Sequence, residues 1–191
     1  MAEISDTDAG PGSEPGSEPD SGAAPTPIRG ALSIVLSIAV VVLALDQAAK
    51  AWAIAALGDR YGDEARVAVL GDLFGFRLVR NPGAAFSMAT GTTWIFTIIA
   101  TVVVVVIVRM SRKLGSRLWT VAFGLLLGGA TGNLTDRLFR APGFARGHVV
   151  DFLELPHWPV FNLADSAICC AAALIVLASL RGVGIDGARV R

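Results

Sequence analysis

The segment that decides the fold is FNLADSAICCAAALIVLASL, residues 161–180. From Asn162 to Leu180 it is long enough to cross a lipid bilayer, because a transmembrane helix needs about 20 predominantly apolar residues. It carries one acidic residue, Asp165, close to its start. A carboxylate in a membrane helix costs about 2.5–3.5 kcal/mol at the bilayer centre and less near the edge. Asp165 is therefore a candidate functional residue at the mouth of a membrane helix.

Three further apolar runs of similar length precede this one. They extend from about Ala31 to Ala48, from Thr93 to Met110 and from Leu118 to Leu134. Hydrophobic residues make up 53% of the chain and charged residues only 17%, whereas a soluble domain carries roughly 25% charged residues. The sequence predicts an all-α membrane protein with four transmembrane helices, and it excludes an ordinary water-soluble globule.

The first 27 residues have a different composition. They hold six acidic residues, no Lys or Arg and five of the nine prolines. Such a segment buries too little apolar surface to fold, so we predict a disordered acidic tail at 1–27. Its acidity also argues against a cleaved signal peptide, whose first region is normally basic. We expect the membrane domain to cover 28–181 and a short C-terminal tail to cover 182–191.

The basic residues of the short connections predict an orientation. One cluster lies between the second and third apolar runs and another follows the fourth, and basic connections favour the cytoplasm. They are Arg109, Arg112, Lys113 and Arg117, then Arg181, Arg189 and Arg191. Both termini are then cytoplasmic, and 49–92 and 135–161 face the outer side. Four tryptophans near the predicted helix ends are expected to anchor the protein at the membrane interfaces. They are Trp52, Trp94, Trp119 and Trp158.

The first outer segment is too long for a simple turn. Residues 67–70 and 74–79 are rich in strand-forming residues, and Gly71-Asp72 between them is typical of a turn. We predict a small outer β-sheet, a cradle lying on the membrane at about residues 58–90.

Polar residues gather at the outer ends of the predicted helices. They are Asp46, Lys50, Asn81, Asn133, Asp136, Arg137, Asp151, Asn162 and Asp165. The middle portions of the helices are apolar, whereas a transport path needs polar groups near the bilayer midplane. The pattern favours chemistry at the membrane edge over transport.

Several of these residues also have simpler interpretations. Asp46 and Lys50 are four residues apart on a helix and are expected to form a local ion pair. Arg137 could anchor a helix end or bind a lipid phosphate. His148 and His157 flank Asp151 and could hold zinc with it, but their spacing matches no helical zinc motif, so we expect no metal.

Asp151 and Asp165 suggest a pair that shares one proton. Two carboxylates close together cannot both ionise cheaply, so one stays protonated. The ionised group can take a proton from water while the protonated group donates a hydrogen bond to a peptide carbonyl. Two other functions remain open at this point: a transport or assembly protein whose aspartates carry protons, and a small lipid-binding scaffold.

Five blocks of sequence resemble the bacterial lipoprotein signal peptidases (signal peptidase II), in the order that this family has them. They span about 31–180 of the chain. The blocks are Asp46-Gln47-Ala48-Ala49-Lys50, Asn81-Pro82-Gly83-Ala84-Ala85-Phe86, residues 128–137 (GGATGNLTDR), Val149-Val150-Asp151-Phe152, and Phe161-Asn162-Leu163-Ala164-Asp165-Ser166.

The resemblance implies a four-helix membrane aspartic endopeptidase with an outer β-cradle. Such enzymes remove signal peptides from diacylglyceryl-modified prolipoproteins, just before the lipidated cysteine, and globomycin inhibits them. It implies that Asp151 and Asp165 are the catalytic dyad and that no metal or other cofactor is needed. The expected partners are prolipoproteins and membrane lipid, without nucleic acid. A monomer in the bacterial cell membrane is expected, with its active site on the outer face. Residues implied to shape the site and hold substrate are Asn133, Asp136, Arg137 and Asn162, supported by Asp46, Lys50 and Asn81.

Overall fold

The computed structural model describes residues 28–58, 66–83 and 93–189. It contains four long helices, one π-helical turn and three strands. In chain order they are α1 (Ala31–Ala53), the π-helical turn (Ile54–Gly58), β1 (Arg66–Leu70), β2 (Phe74–Asn81), α2 (Thr93–Ser111), α3 (Arg117–Phe139), β3 (Val149–Glu154) and α4 (Leu163–Leu180). The predicted acidic tail lies outside the described residues, as do two parts of the predicted cradle, 59–65 and 84–90.

Helix α3 lies at the centre of the bundle and packs against the other three helices. Glycines make this close approach possible, because even a single added carbon would collide with a neighbouring helix. A Cβ on Gly128 would lie 2.5 Å from Val42 Cβ, and one on Gly129 would lie 2.5 Å from the Ala164 carbonyl oxygen. Small residues at helix contacts are typical of membrane bundles, so the glycine run of α3 sets the distance to α1 and α4.

Three helices of the described chain are long and apolar enough to cross a membrane: Ala31–Gly58, Thr93–Ser111 and Leu163–Leu180. The helix predicted for the third apolar run is present as α3. Helix α3 is less apolar than those three helices. The other helices surround it, so many of its side chains contact protein rather than lipid. A multi-pass membrane fold is thus confirmed, while a fourth span and the orientation of the termini stay predictions.

The strands form one antiparallel sheet in the order β1-β2-β3. The first two strands and the turn after Leu70 confirm the sequence prediction. The third strand was not predicted. In the register of β2 with β3, Val79 lies opposite Asp151 and Arg80 opposite Val150. Neighbouring residues of a strand point to opposite faces, so Val150 and Asp151 serve different faces of the sheet.

One face of the sheet packs on the end of α1. Leu78, Val150 and Phe152 are buried there with Ala53 and Leu57. Burying such side chains stabilises the fold by about 1.5–3 kcal/mol each. This contact fixes the sheet at one end of the bundle, called here the sheet end, where α1, α3 and the start of α4 meet the strands.

The opposite end of the bundle is closed by residues after α4. Trp119 Nε1 donates a 2.8 Å hydrogen bond to the Val183 carbonyl, and Gly115 N donates one of 2.9 Å to the Ile185 carbonyl. Trp119 is buried in the core cluster of this end, so its predicted role as an interfacial anchor is wrong. The C-terminal segment folds back on the bundle because its carbonyl groups satisfy donors at the start of α3.

Candidate active site

Asn162 joins the two aspartates that the sequence singles out. It is the N-cap of α4: its Oδ1 accepts a 2.9 Å hydrogen bond from Asp165 N, and its own backbone N donates to Asp165 Oδ2 at 3.3 Å. This reciprocal arrangement is a capping box. The amide Nδ2 of Asn162 also donates to Asp151 Oδ1 at 2.6 Å. Asp151 on β3 and Asp165 on α4 therefore share one cleft, as predicted.

Two further asparagines hold the remaining carboxylate oxygens. Asn81 Nδ2 donates to Asp151 Oδ2 at 2.9 Å, and Asn133 Nδ2 donates to Asp165 Oδ1 at 2.8 Å. Asn81 reaches its partner from β2, where it lies opposite Val149 in the sheet. All four oxygens of the two carboxylates thus accept a hydrogen bond from the protein.

The electrostatics of this cleft favour a shared proton. Asp151 is only 2% exposed, and burial raises its pKa to about 6. The hydrogen bond from Asn81 opposes that rise in pKa, and the charge of Asp165 adds to it. Because the two carboxylates interact, a proton bound near this pH belongs to the pair rather than to one residue.

A fully buried ammonium group lies behind the pair. Lys50 Nζ lies 2.8 Å from Asp46 Oδ2 and 2.8 Å from Asp136 Oδ2, and all three side chains are fully buried. The predicted Asp46–Lys50 pair is confirmed, and Asp136 extends it to α3. Lys50 Nζ also donates to Asn133 Oδ1 at 3.0 Å. That contact orients the Asn133 amide so that its Nδ2 faces Asp165.

The two buried acids also hold the backbone next to the pair. Asp46 Oδ1 accepts a 3.0 Å hydrogen bond from the N–H of Ala164, and Asp136 Oδ2 accepts one of 3.1 Å from the N–H of Val150. Each of those donors is the residue directly before one aspartate of the pair. The Lys50 network therefore positions β3 and the start of α4 relative to each other.

Arg137 brings an unused donor to the same region. Its Nη1 is buried and has no hydrogen-bond partner among the described residues. The guanidinium lies 5.3 Å from the ring centroid of Phe96, a cation–π distance. Its charge interacts with those of Asp151 and Asp165. A buried donor left unpaired is costly, so Arg137 is suited to bind a carbonyl or other acceptor of a substrate.

Sequence reasoning missed two members of this site, Gln47 and Arg140. Arg140 Nε donates to Asp136 Oδ1 at 2.6 Å, and Gln47 Nε2 reaches the same oxygen at 3.2 Å. The spacing of Asp136 and Arg140, four residues apart on one helix, was the available signal for that pair. Gln47 lies inside the first family-like block, but sequence reasoning assigned it no role, because its contact with Asp136 depends on a different helix.

The two histidines lie in separate cavities. His157 lines one of about 320 Å³ with Arg66 and Glu154, while His148 lines one of about 350 Å³ with Arg80. Within 28–58, 66–83 and 93–189, no group of three or more His, Cys, Asp or Glu side chains is placed to hold a metal ion. What the described cleft offers chemically is a pair of carboxylates, asparagine amides and one arginine.

The chain is similar to known proteins over most of its length. The family model of signal peptidase II matches residues 38–181. A lipoprotein signal peptidase of Rhodococcus jostii is 49% identical over 174 residues, covering 90% of this chain and 85% of the relative. One of Mycobacterium tuberculosis strain H37Rv is 52% identical over 163 residues, covering 85% of this chain and 78% of the relative.

A solved structure shares the fold. It is described as a bacterial membrane enzyme, solved by the in meso method at 1.9 Å resolution. Its TM-score is 0.67 at 28% sequence identity, over 78% of this chain and 94% of the solved one. Family model, relatives and fold cover the same membrane domain with its paired aspartates, and this chain accordingly belongs to the signal peptidase II family of aspartic peptidases.

Proposed function

We propose that this protein removes signal peptides from diacylglyceryl-modified prolipoproteins, cutting just before the lipidated cysteine with a water molecule that Asp151 and Asp165 activate. The observation that carries the proposal is the cleft in which Asn162 donates hydrogen bonds to both carboxylates, from its Nδ2 to Asp151 and from its backbone N to Asp165. The relatives named lipoprotein signal peptidase support the choice of substrate.

In the proposed reaction the pair starts with one proton. The ionised carboxylate removes a proton from water as the water oxygen bonds to the scissile carbonyl carbon. The protonated carboxyl group donates a hydrogen bond to the carbonyl oxygen. When the C–N bond breaks, the leaving amine takes a proton from the pair, which returns to its singly protonated form. A raised pKa of Asp151 supports this cycle, since a carboxyl group with an ordinary pKa would hold its proton rarely near neutral pH.

Asn133, Asn162 and Arg137 are proposed to position the substrate. The asparagine amides hold the carboxylates in place. The buried Nη1 of Arg137 then supplies a donor for a carbonyl oxygen of the peptide or of the ester-linked lipid. Positioning of this kind contributes much of the rate in a hydrolase, because the reacting atoms must meet within about 3–3.5 Å.

The proposed arrangement in the membrane has four spans, both termini in the cytoplasm and the sheet end at the outer leaflet. The basic residues at the opposite end of the bundle, such as Arg112 and Lys113, support it through the positive-inside bias. The substrate then enters sideways, with its acyl chains in lipid, and the enzyme acts as a monomer in the bacterial cell membrane.

The decisive experiment replaces each acid of the pair by its amide. Asp151→Asn and Asp165→Asn should each reduce cleavage of a purified lipidated precursor by about 10²–10⁴-fold, the usual contribution of general acid–base catalysis, or more. Asp72→Asn is the matched control, because the Asp72 side chain is fully exposed on the turn between β1 and β2. It should cleave at the wild-type rate.

Folding and inhibition complete the test. Both amide variants should elute from size exclusion as folded protein, and globomycin should block the wild-type protein. Undiminished cleavage by a folded Asp151→Asn protein would refute the catalytic role. Proton flux through reconstituted liposomes, without any cleaved product, would favour a proton-carrying transport or assembly protein instead.

A further inference from the structure

An open groove runs along the bundle from the paired aspartates toward the end opposite the sheet. Helices α2 and α4 both pack against α3, but along their described lengths they form no extensive contact with each other. On α3, Asn133 reaches Asp165 of α4. Arg137, one turn further along the same face of α3, lies against Phe96 of α2. The face of α3 between these two contacts is therefore the floor of a groove that α2 and α4 flank.

The wall that α4 contributes to this groove is apolar and carries small residues. Cys169, Ala172 and Val176 follow Asp165 at the spacing of successive helical turns, so they share its face of α4. All three are exposed. Small residues let a second helix approach closely within a membrane. An exposed apolar wall that begins at Asp165 is suited to a helix whose end must reach that acid.

The residues after α4 cross the far end of the groove. Residues 182–189, called here the C-terminal strap, run from the end of α4 past the start of α3 to the end of α2. The Val183 carbonyl accepts the 2.8 Å hydrogen bond from Trp119 Nε1 on α3. Ile185 lines a cavity of about 480 Å³ with Met110 at the end of α2. The strap therefore closes the groove at the end opposite the aspartates.

The strap is packed tightly on the bundle. A Cβ on Gly115 would overlap the Asp186 carbonyl oxygen, and one on Gly187 would lie 2.6 Å from the Gly115 carbonyl oxygen. Within the strap, Gly184 N donates to the Ala188 carbonyl at 2.7 Å. These contacts make the strap a fixed limit to the groove.

The groove consequently has a definite length. Its ends are marked on α3 by Trp119, which holds the strap, and by Asn133, which holds Asp165. These two residues are about 14 positions apart, and a rise of about 1.5 Å per residue places them roughly 21 Å apart along the helix. A full transmembrane helix of about 20 residues is too long to lie between strap and aspartates. The apolar segment of a secretory signal peptide has about 7–15 residues, which fits.

We propose that this groove binds the apolar helix of the precursor's signal peptide, and that the C-terminal strap sets the longest helix that can reach the paired aspartates. A short apolar segment fits between strap and aspartates, whereas a longer one meets the strap before its cleavage site reaches them. The inference rests on the proposed function, because it requires a precursor that is cut at the sheet end. It gives residues 182–189, far from the reacting atoms, a part in the choice of substrate.

Cleavage of precursors that differ only in the length of the apolar segment tests the strap. Purified lipidated precursors carry a short, middle or long segment of about 10, 14 or 18 leucine and alanine residues, which brackets the length of natural signal peptides. Wild-type protein should cleave the short and middle precursors with similar kcat/KM. Four further residues lengthen a helix by about 6 Å. A mismatch of that size should lower kcat/KM roughly tenfold for the long precursor.

Two full-length variants should relax this selection. Gly115→Ala displaces the strap through its added Cβ, so it should cleave the middle and long precursors at similar rates. Trp119→Phe removes the hydrogen bond to Val183 but keeps an aromatic ring in the core, and it should shift the ratio in the same direction. It carries the comparison if Gly115→Ala fails to fold. Gly143→Ala is the matched control, because no atom lies within 4 Å of its added Cβ. It should keep the wild-type ratio.

Disulfide cross-linking tests the groove without cleavage. Cys169 lies on the groove face of α4, four residues or about 6 Å beyond Asp165, whereas Cys170 points about 100° further round the helix. A precursor whose only free thiol lies about four residues before the cut, level with Cys169, is oxidised with the full-length Asp151→Asn protein. Cys169→Ser should remove the cross-link, and Cys170→Ser should retain it. The cross-link should also form less readily with the long precursor than with the middle one.

Three results would overturn the inference. They are equal cleavage of the middle and long precursors by the wild-type protein, a wild-type ratio in the folded strap variants, and a cross-link that survives Cys169→Ser. The last result would leave the groove to lipid or to a second copy of the chain. A protein that forms the Cys169 cross-link with the expected length dependence but cleaves no precursor would instead contradict the proposed peptidase function and leave the groove and strap standing.

Discussion

Lys50 Nζ lies 2.8 Å from the carboxylate of Asp136, a residue of a different helix, and neither side chain is exposed to solvent. Lys50 lies equally close to Asp46 on its own helix. Each of the two acids holds the backbone N–H directly before one aspartate of the proposed catalytic pair. One ammonium group thus connects α1 and α3 to both halves of the cleft.

Removing that ammonium group should strongly destabilise the folded protein. Lys50→Met leaves buried Asp46 without a cation and leaves Asp136 with Arg140 alone. Breaking a buried ion pair costs about 3–5 kcal/mol of unfolding free energy. Denaturation of the detergent-solubilised protein with SDS measures this loss. Lys113→Met is the control because Lys113 is exposed, and its effect should stay within about 0.5 kcal/mol. Equal stability of the two variants would contradict the network. Adding Asp46→Asn to Lys50→Met should recover part of the loss.

Two replacements of Asn162 should separate its two roles. Ser retains an oxygen that can cap α4 but lacks the amide that donates to Asp151, whereas Ala lacks both. Asn162→Ser should therefore keep the cap and lose activity. Asn162→Ala should lose activity and, in addition, about 1 kcal/mol of stability from the missing cap. Cleavage rates and melting curves of the two variants, measured side by side, test this. Wild-type cleavage by Asn162→Ser would rule out a role for the amide.

The pH dependence of cleavage should follow the shared proton. Above a pH of about 6 Asp151 loses its proton, both carboxylates are then charged, and the singly protonated pair disappears. We expect kcat/KM to fall as the pH rises through this region. Asn81 donates to the ionised form of Asp151 and so lowers its pKa. Asn81→Ala should therefore move the falling limb to higher pH. A limb that moves to lower pH would contradict this assignment.

Histidine side chains ordinarily titrate in the same pH range, so they provide the control for that experiment. The chain has only two, His148 and His157. The profile of a protein with both replaced by Gln should keep its falling limb at the wild-type position. A limb that vanishes in this double variant would assign it to a histidine.

The glycines of α3 should tolerate substitution only where space exists. A Cβ on Gly129 would meet the Ala164 carbonyl oxygen and Ile168 Cγ1, at 2.5 Å and 2.7 Å. Gly129→Ala should therefore cost about 1–3 kcal/mol of stability. It should also reduce cleavage, because Ala164 precedes Asp165. Gly143→Ala is the matched control, since no atom lies within 4 Å of its added Cβ. Similar melting temperatures for both variants would show that α3 and α4 are less closely packed than described.

The helices were predictable because an apolar run is a local signal, but their ends were less so. The first apolar run was predicted to end at about Ala48. In the structure α1 continues to Ala53. The charges do not end the helix because Asp136 on α3 neutralises Lys50 inside the bundle. An ion-pair partner so distant in sequence cannot be recognised from the local sequence pattern.

For the sheet and the site as well, local features were predictable from the sequence and long-range contacts were not. β1 and β2 were predicted because a turn joins them directly. β3 was not predicted, because Asp151 and Glu154 interrupt its apolar residues. In addition, its partner strand β2 is distant in sequence. Motifs were enough to name Asp151, Asp165 and the asparagines as candidates. They carried no information on which amide binds which oxygen, because those contacts depend on how helices and sheet pack.

The asparagine contacts have a consequence for the dynamics of the two acids. Since every oxygen of both carboxylates already accepts a hydrogen bond, neither group can rotate about its terminal torsion without breaking two contacts at once. The alignment of the acids is therefore completed when the chain folds, and little reorientation of protein dipoles remains for the moment of bond cleavage. In the proposed reaction, the partners that move are the water molecule and the incoming peptide.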